Sequence, residues 1–262
     1  SENNWLGRGI NLQTAVNLSE EKVAGNIAIS NPNYNYTGNT VTAALDVSAT
    51  DKTVTTGYKS NKTGFELGTS FEQYRDIFFA PEIKITSEEI EAESSASDNI
   101  KKMDGSYFNS DFLWSVTLDK RDQIFQPTEG YKASFVQSLP IIQDSSSILN
   151  GVNLSTYHDF SEDVIGSLKF YGRAIHGVDD DVRLTNRLYL PRRMLRGFVG
   201  GRVGPKDGAD WVGGNYTTAL NAEAHLPNLL PESYRTDFSV FIDTGNVWGV
   251  DYSSGLDDSN KI

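Results

Sequence analysis

The sequence predicts an all-β fold: an antiparallel, up-and-down transmembrane β-barrel, present as an incomplete open sheet of about eleven strands. Three observations predict it. Apolar and polar residues alternate at period two along most of the 262 residues. The alternating segments mostly run about ten residues, enough for a tilted strand to cross the hydrocarbon core. The connections between them are short on one side and long and polar on the other. On this reading residues 1–262 are one partial barrel domain.

Taken in order, Ile10, Leu12, Thr14, Val16 and Leu18 share a face opposite Asn11, Gln13, Ala15 and Asn17. Val23, Gly25, Ile27 and Ile29 alternate with Ala24, Asn26, Ala28 and Ser30. Val41, Ala43, Leu45 and Val47 alternate with Thr42, Ala44, Asp46 and Ser48, and Phe65, Leu67, Thr69 and Phe71 with Glu66, Gly68 and Ser70. Phe112, Trp114, Val116 and Leu118 alternate with Leu113, Ser115, Thr117 and Asp119. Each segment is a strand with one apolar and one polar face. The strands expected are 10–18, 22–30, 40–50, 63–72, 77–86, 107–119, 131–139, 152–160, 164–176, 214–226 and 235–249. No segment carries a helical period. A large soluble sandwich or lipocalin-like barrel would show the same alternation within one strand. So many consecutive strands with small and polar residues on the alternate face favour the membrane barrel.

Connection lengths give orientation. Tight or medium turns are expected at 31–39, 73–76, 120–130, 161–163 and 227–234, where Pro32, Pro127, Pro227 and Pro231 suit turns. Longer polar connections at 87–106, 140–151 and 177–213 lie at the opposite ends. Outer-membrane barrels keep short turns in the periplasm and long loops outside, so these three are expected to face the exterior. An odd number of strands would put the two ends of the sheet on opposite sides of the membrane. No signal peptide opens the chain at Ser1, and Lys261-Ile262 follow a turn-like Asp257-Asp258-Ser259-Asn260. Both ends are therefore expected to be cuts in a longer protein.

Composition removes several functions. A net charge of −12 is wrong for nucleic acid, which needs basic clusters. With no Cys there are no disulfides or thiolate metal sites. The mean hydropathy of −0.41 does not argue against a membrane, because lumen-facing residues dilute it in every barrel strand. Gly200-Gly201-Arg202-Val203-Gly204-Pro205-Lys206 follows no strand-to-helix pattern and is not a phosphate loop. His158, His176 and His225 lack metal spacing, and no nucleophile elbow accompanies the Ser, His and Asp residues. No enzyme, cofactor or metal is expected.

The connection 177–213 breaks the surface-loop rule. It carries Leu188, Tyr189, Leu190, Met194, Leu195, Phe198 and Trp211, with Arg183, Arg187, Arg192, Arg193 and Arg196, in a chain otherwise acidic. An exposed loop has little reason to hold so much apolar surface, whereas one folded back into a polar lumen does. Arg196 lies in the part expected to enter the lumen, and a guanidinium there needs carboxylates. If Ala222, Ala224, Ile242 and Thr244 face lipid, Glu223 and Asp243 face inward and can supply them. Gly197 allows a tight bend beside Arg196, and Phe198 is expected on the barrel wall.

Leu195-Arg196-Gly197-Phe198, then Gly204-Pro205 and Gly213-Gly214-Asn215, resemble the signature loop of the BamA family, the outer-membrane β-barrel assembly proteins. Phe241-Ile242-Asp243-Thr244-Gly245-Asn246-Val247-Trp248 resembles the family's F-x-D-x-G-x-V-W strand, with Phe241 and Gly245 at its motif positions. Pro127-Thr128-Glu129-Gly130 and Asn4-Trp5-Leu6-Gly7 resemble two of its turns, while Leu190-Pro191-Arg192-Arg193 departs from a stretch that is Gly-rich in many relatives. The resemblance implies a sixteen-stranded barrel, of which this chain lacks the first two strands and the last three, preceded by periplasmic POTRA domains. It implies non-enzymatic insertion and folding of barrel proteins in the bacterial outer membrane. The implied partners are unfolded outer-membrane proteins, the lipoproteins of the assembly machinery and the lipid bilayer. A two-partner secretion pore would use the same loop; a passive porin would need no such loop.

Overall fold

The computed structural model describes residues 1–208, 210–230 and 236–251. Twelve of its strands form one antiparallel sheet in which every strand pairs with its neighbours along the chain. They are β1 (Glu2–Trp5), β2 (Ile10–Leu18), β3 (Lys22–Asn31), β4 (Thr40–Lys52), β5 (Tyr58–Tyr74) and β6 (Ile77–Ala92), then β7 (Gly105–Asp119), β8 (Gly130–Gln143), β9 (Ser147–Ser161), β10 (Val164–Gly177), β13 (Tyr216–Leu226) and β14 (Phe238–Trp248). Between β10 and β13 a two-residue hairpin forms from β11 (Lys206–Asp207) and β12 (Asp210–Trp211). One four-residue helix, α1 (Asp98–Lys101), caps its own N-terminus through the Ser97 hydroxyl. Among the described residues the sheet does not close: β1 and β14 are its two edges. No helix among the described residues is long and apolar enough to cross a membrane.

The period-two pattern becomes two faces through the register. Pairing carries one row from Leu12 through Ile29, Ala43, Leu67 and Ile83 to Phe112. A second row joins Leu168, Ala222 and Ile242. On this outer face large apolar side chains stand in the open: Val16 is 74% exposed, Leu67 48% and Ile242 74%. A sheet in water would not present such a face; a sheet in lipid must. Phe71, Phe79, Trp114 and Phe135 touch in sequence across four strands of it, with ring centroids 5.4–6.2 Å apart. The inner face is polar. Asn26 donates to Asp46 at 2.7 Å, Lys84 pairs with Glu66, and Ser138 and Gln143 both donate to Asp111.

The structure corrects the sequence reading in three respects: the number of strands, the side on which the sheet's ends lie and the extent of two connections. There are twelve strands in the sheet, not eleven, because Glu2 and Trp5 pair with Leu12 and Ile10. With an even number, β1 starts and β14 ends on the same side of the sheet. The connections 87–106 and 140–151 shrink to 93–104 and 144–146, because the strands run on past the apolar zone. In β6 the acidic run hides a continuing alternation, with Glu88 and Ile90 buried and Glu89 and Glu91 exposed. Pro81 and Pro140 lie inside central strands. Pro140 sits beside a bulge opposite Ser110 and Asp111, past the end of the β8–β9 ladder, where a missing N–H is tolerated. The turn at 227–234 is described only in part, since Pro231 and the turn-like 257–260 with Lys261-Ile262 lie outside the described residues.

Charge should be tolerated by face. Leu67→Arg, on the outer face, is expected to destabilise the barrel by about 2–4 kcal/mol, whereas Ser134→Lys, on the inner face, should change little. Urea-driven folding of the full-length protein into lipid vesicles measures both; equal penalties would contradict the assignment of faces.

Candidate functional site

The long connection, 178–215, turns back over the inner face of the sheet. Two short 3-10 turns, Leu184–Asn186 and Arg192–Met194, give it shape. Its ends are tied together by Leu188 and Gly214, each of whose N–H groups donates to the other's carbonyl, at 2.8 and 3.0 Å. From there it reaches the wall at two levels.

The deeper contact is centred on Arg196. Its Nε and Nη2 donate to the two carboxylate oxygens of Asp243, each at 2.8 Å, and its Nη1 donates to Glu223 at 2.7 Å. Its backbone N–H also donates to Asp243, at 3.0 Å. The guanidinium carbon lies 3.5 Å from the centre of the Phe241 ring. One fork thus meets one carboxylate bidentately, spends a further donor on a second and stacks on an aromatic face, as a lysine could not. The register explains the convergence. Glu223 pairs with Phe241 and Asn221 with Asp243, so all four side chains stand on one face of two adjacent strands. These hydrogen bonds to carboxylates hold the Arg196 pKa above its ordinary value. Asp243 is the more enclosed partner, its side chain 3% exposed against 31% for that of Arg196.

Asn221 completes the site. Its amide donates at 2.8 Å both to Asp243 and to the Met194 carbonyl, linking carboxylate and loop backbone. The sequence reading missed it, although its place two residues before Glu223, on the same face, was a usable signal. Leu190, Leu195 and Val203 are buried against Ala219 and Val247. Burying each such side chain contributes about 1.5–3 kcal/mol.

The motif glycines mark where loop and wall approach too closely for a side chain. A Cβ on Gly245 would come within 2.7 Å of Leu190, one on Gly204 within 2.7 Å of Val247, and one on Gly214 within 2.5 Å of the Trp248 carbonyl. Gly213 (φ 66) lies against the Leu188 carbonyl and Tyr189. Gly197 differs: nothing crowds it, but its φ of 86 belongs to the left-handed region and turns the chain directly after Arg196. That turn overrules the expectation for Phe198, which is 49% exposed and off the wall; Leu195, 2% exposed, takes its place. Pro205 and Asn215 are both buried, and Asn215 bonds Asp251.

The shallower contact is a small core that the sequence did not disclose. Leu184 and Val212 from the loop pack with Tyr58, Ile90, Ala96 and Ile100. Around it Thr185 donates to Glu88 at 3.0 Å and Asn99 to Asp207 at 3.0 Å. The buried Arg183 donates to Asn109 at 2.7 Å and lies over the Tyr107 ring. The connection 87–106, expected only to face the exterior, is therefore packed in part against the long loop.

Comparison with known proteins places this arrangement. A model of the Omp85 superfamily domain matches residues 4–261. The chain is 24% identical over 207 residues to the outer membrane protein assembly factor BamA of Neorickettsia risticii, a match covering 75% of this chain and 27% of that protein. It thus spans about a quarter of that relative's length. The crystal structure of BamA from Haemophilus ducreyi lacking POTRA domains 1–3 superimposes with a TM-score of 0.82 at 17% identity, over 95% of this chain and 54% of that one. CdiB from Acinetobacter baumannii matches with a TM-score of 0.47 at 13% identity, over 90% and 49%. Matched over nearly all its length by one family model, and carrying an open sheet that superimposes on a BamA barrel, the chain belongs to the Omp85 superfamily and is part of a bacterial outer-membrane β-barrel.

Proposed function

We propose that the protein inserts and folds other β-barrel proteins in the outer membrane, without enzymatic chemistry, and that 177–213 is a lumen-entering loop whose seating on the wall is required for that work. The observation that carries this reading is the four-donor anchorage of Arg196 on Asp243 and Glu223, from a loop too apolar and too cationic to be an ordinary surface loop. The similarity to assembly factors named BamA supports it. Arg196, Gly197, Gly204, Gly213, Gly214, Asn215, Glu223, Phe241, Asp243 and Gly245 would act by fixing the loop; Phe198, free of the wall, would be offered to the lumen. The partners proposed are unfolded outer-membrane proteins, the lipoproteins of an assembly machinery and the surrounding bilayer.

Removing Arg196 leaves an enclosed carboxylate without its cation, a change of about 3–5 kcal/mol for a buried pair. The low end applies, since the Arg196 side chain is 31% exposed and solvent screens the pair. Arg196→Ala should release the loop to protease in the folded protein and lower outer-membrane protein levels in a strain that depends on this gene. Arg196→Lys should restore little of either, because an ammonium cannot span both carboxylates. Normal growth and porin levels with Arg196→Ala would remove the basis of the proposal. Exchange of the charges, Arg196→Asp with Asp243→Arg, is expected to recover part of what each single change loses.

Gly214→Ala places a methyl against backbone at the loop's return and should loosen the loop as Arg196→Ala does, while leaving barrel formation intact. Limited proteolysis alongside gel heat-modifiability separates the two effects; an unaltered digestion pattern would show that the close approach does not hold the loop.

A further inference from the structure

On the outer face, from β9 to β14, lies a groove of about 500 Å³ whose lining also touches Glu223 and Phe241 of the loop anchorage. Its floor is made of small residues, Gly166, Ala222 and Ala224, on the adjacent strands β10 and β13. Leu168 and Ile242 stand at one end, and the Phe160 ring lies across Gly166 on the other, within 2.5 Å of where a Cβ would be. Phe160 is 70% exposed and Ile242 74% exposed, so the walls are high and the floor is low. An apolar slot of this size, within the range of small-ligand sites, faces hydrocarbon.

At its end nearest the short turns the groove reaches His158, whose ring meets Phe160 edge-on at 4.9 Å. His158 belongs at the same time to a polar cluster. Glu129 in the turn before β8 and Asp159 on β9 bring one carboxylate oxygen each, and His158 a ring nitrogen, all within 4.8 Å of one another. A hydrogen bond shared with Asp159 and, after it, repulsion by that carboxylate's charge hold the Glu129 pKa above its ordinary value. A bound cation would relieve that repulsion. No cation side chain does so: no salt bridge involves Glu129 or Asp159 among the described residues.

We propose that groove and cluster together bind one phospholipid bearing a primary ammonium headgroup, such as phosphatidylethanolamine, with an acyl chain in the slot over Gly166, Ala222 and Ala224 and the ammonium between Glu129 and Asp159. The occupant follows from charge and position. The slot opens to the bilayer and takes a chain. The cluster lies at the short-turn end of the strands, where a headgroup sits, and is negative, so it selects a cationic head. Carboxylates that accept hydrogen bonds favour an ammonium with N–H donors over a quaternary one. This inference is independent of the assembly function.

The test is lipid binding by native mass spectrometry on the full-length protein in detergent, titrated with dioleoyl phosphatidylethanolamine, phosphatidylcholine and phosphatidylglycerol. Phosphatidylethanolamine should bind at least about tenfold more tightly than phosphatidylglycerol. Glu129→Gln with Asp159→Asn should abolish that preference while some chain binding persists. Ala224→Phe, a lipid-facing change that leaves the wall foldable, should fill the slot and weaken all three lipids. Equal binding of the three lipids by the native protein overturns the proposal, as does a headgroup preference that survives the double change. If Zn2+ binds in a manner lost with that double change while phosphatidylethanolamine shows no preference, the cluster is a metal site and the lipid assignment is wrong.

Discussion

The guanidinium of Arg196 is the interaction on which the inner architecture depends. A loop of nearly forty residues has no reason to lie against a polar wall unless something there offsets its ordering. One side chain supplies bidentate contact with Asp243, a further bond to Glu223 and a ring to stack on, and the backbone of the same residue adds another donor. The wall needs the arginine as much as the reverse. Glu223 and Asp243 stand on adjacent strands of one face, and two carboxylates so placed repel each other unless a cation lies between them. Asn221 then fixes the angle, bonding Asp243 and the Met194 carbonyl with the same amide.

Once that point is held, the close packing around it becomes possible and necessary. Gly204, Gly214 and Gly245 remove the side chains that would keep loop and wall apart, and Leu190, Leu195 and Val203 fill the space gained. Nearer the ends of the strands the loop builds a second core with the segment around α1, in which Leu184 and Val212 bury Ile90 and Ile100. This barrel wall therefore holds soluble-type cores on its inside and an apolar surface on its outside. The inversion follows from its solvent: lipid accepts exposed Val, Leu and Ile, so the burial of apolar groups is needed only where water reaches.

The sheet itself is legible in the sequence. Period two is a local property of the chain, and Leu12 with Ile29, Leu67 with Ile83, and Ala222 with Ile242 fall on one face because neighbouring strands pair in order. What the pattern could not give was where strands stop. Glu88, Glu89 and Glu91 read as a loop because they are charged, yet their alternation of burial continues β6 beyond the membrane zone. The sequence reading puts Pro140 in a connection, yet it sits in β8 at a bulge, a feature set by the partner strand and invisible in one strand alone.

The sequence by itself determined the alternation, the two faces, the anomaly of an apolar and cationic loop, and the parity that turns Glu223 and Asp243 inward. Those follow from residue type and spacing, which are local. The motif also singles out Arg196 among the five arginines; only the tertiary structure decided that it meets Asp243 bidentately and Glu223 at once, that Asn221 joins it, that Leu195 is buried while Phe198 stays half exposed, and that Glu129 meets His158 and Asp159. Each depends on distances between segments remote in the chain. A backbone turn such as that at Gly197 redirects every side chain after it, and no period in the sequence records its direction.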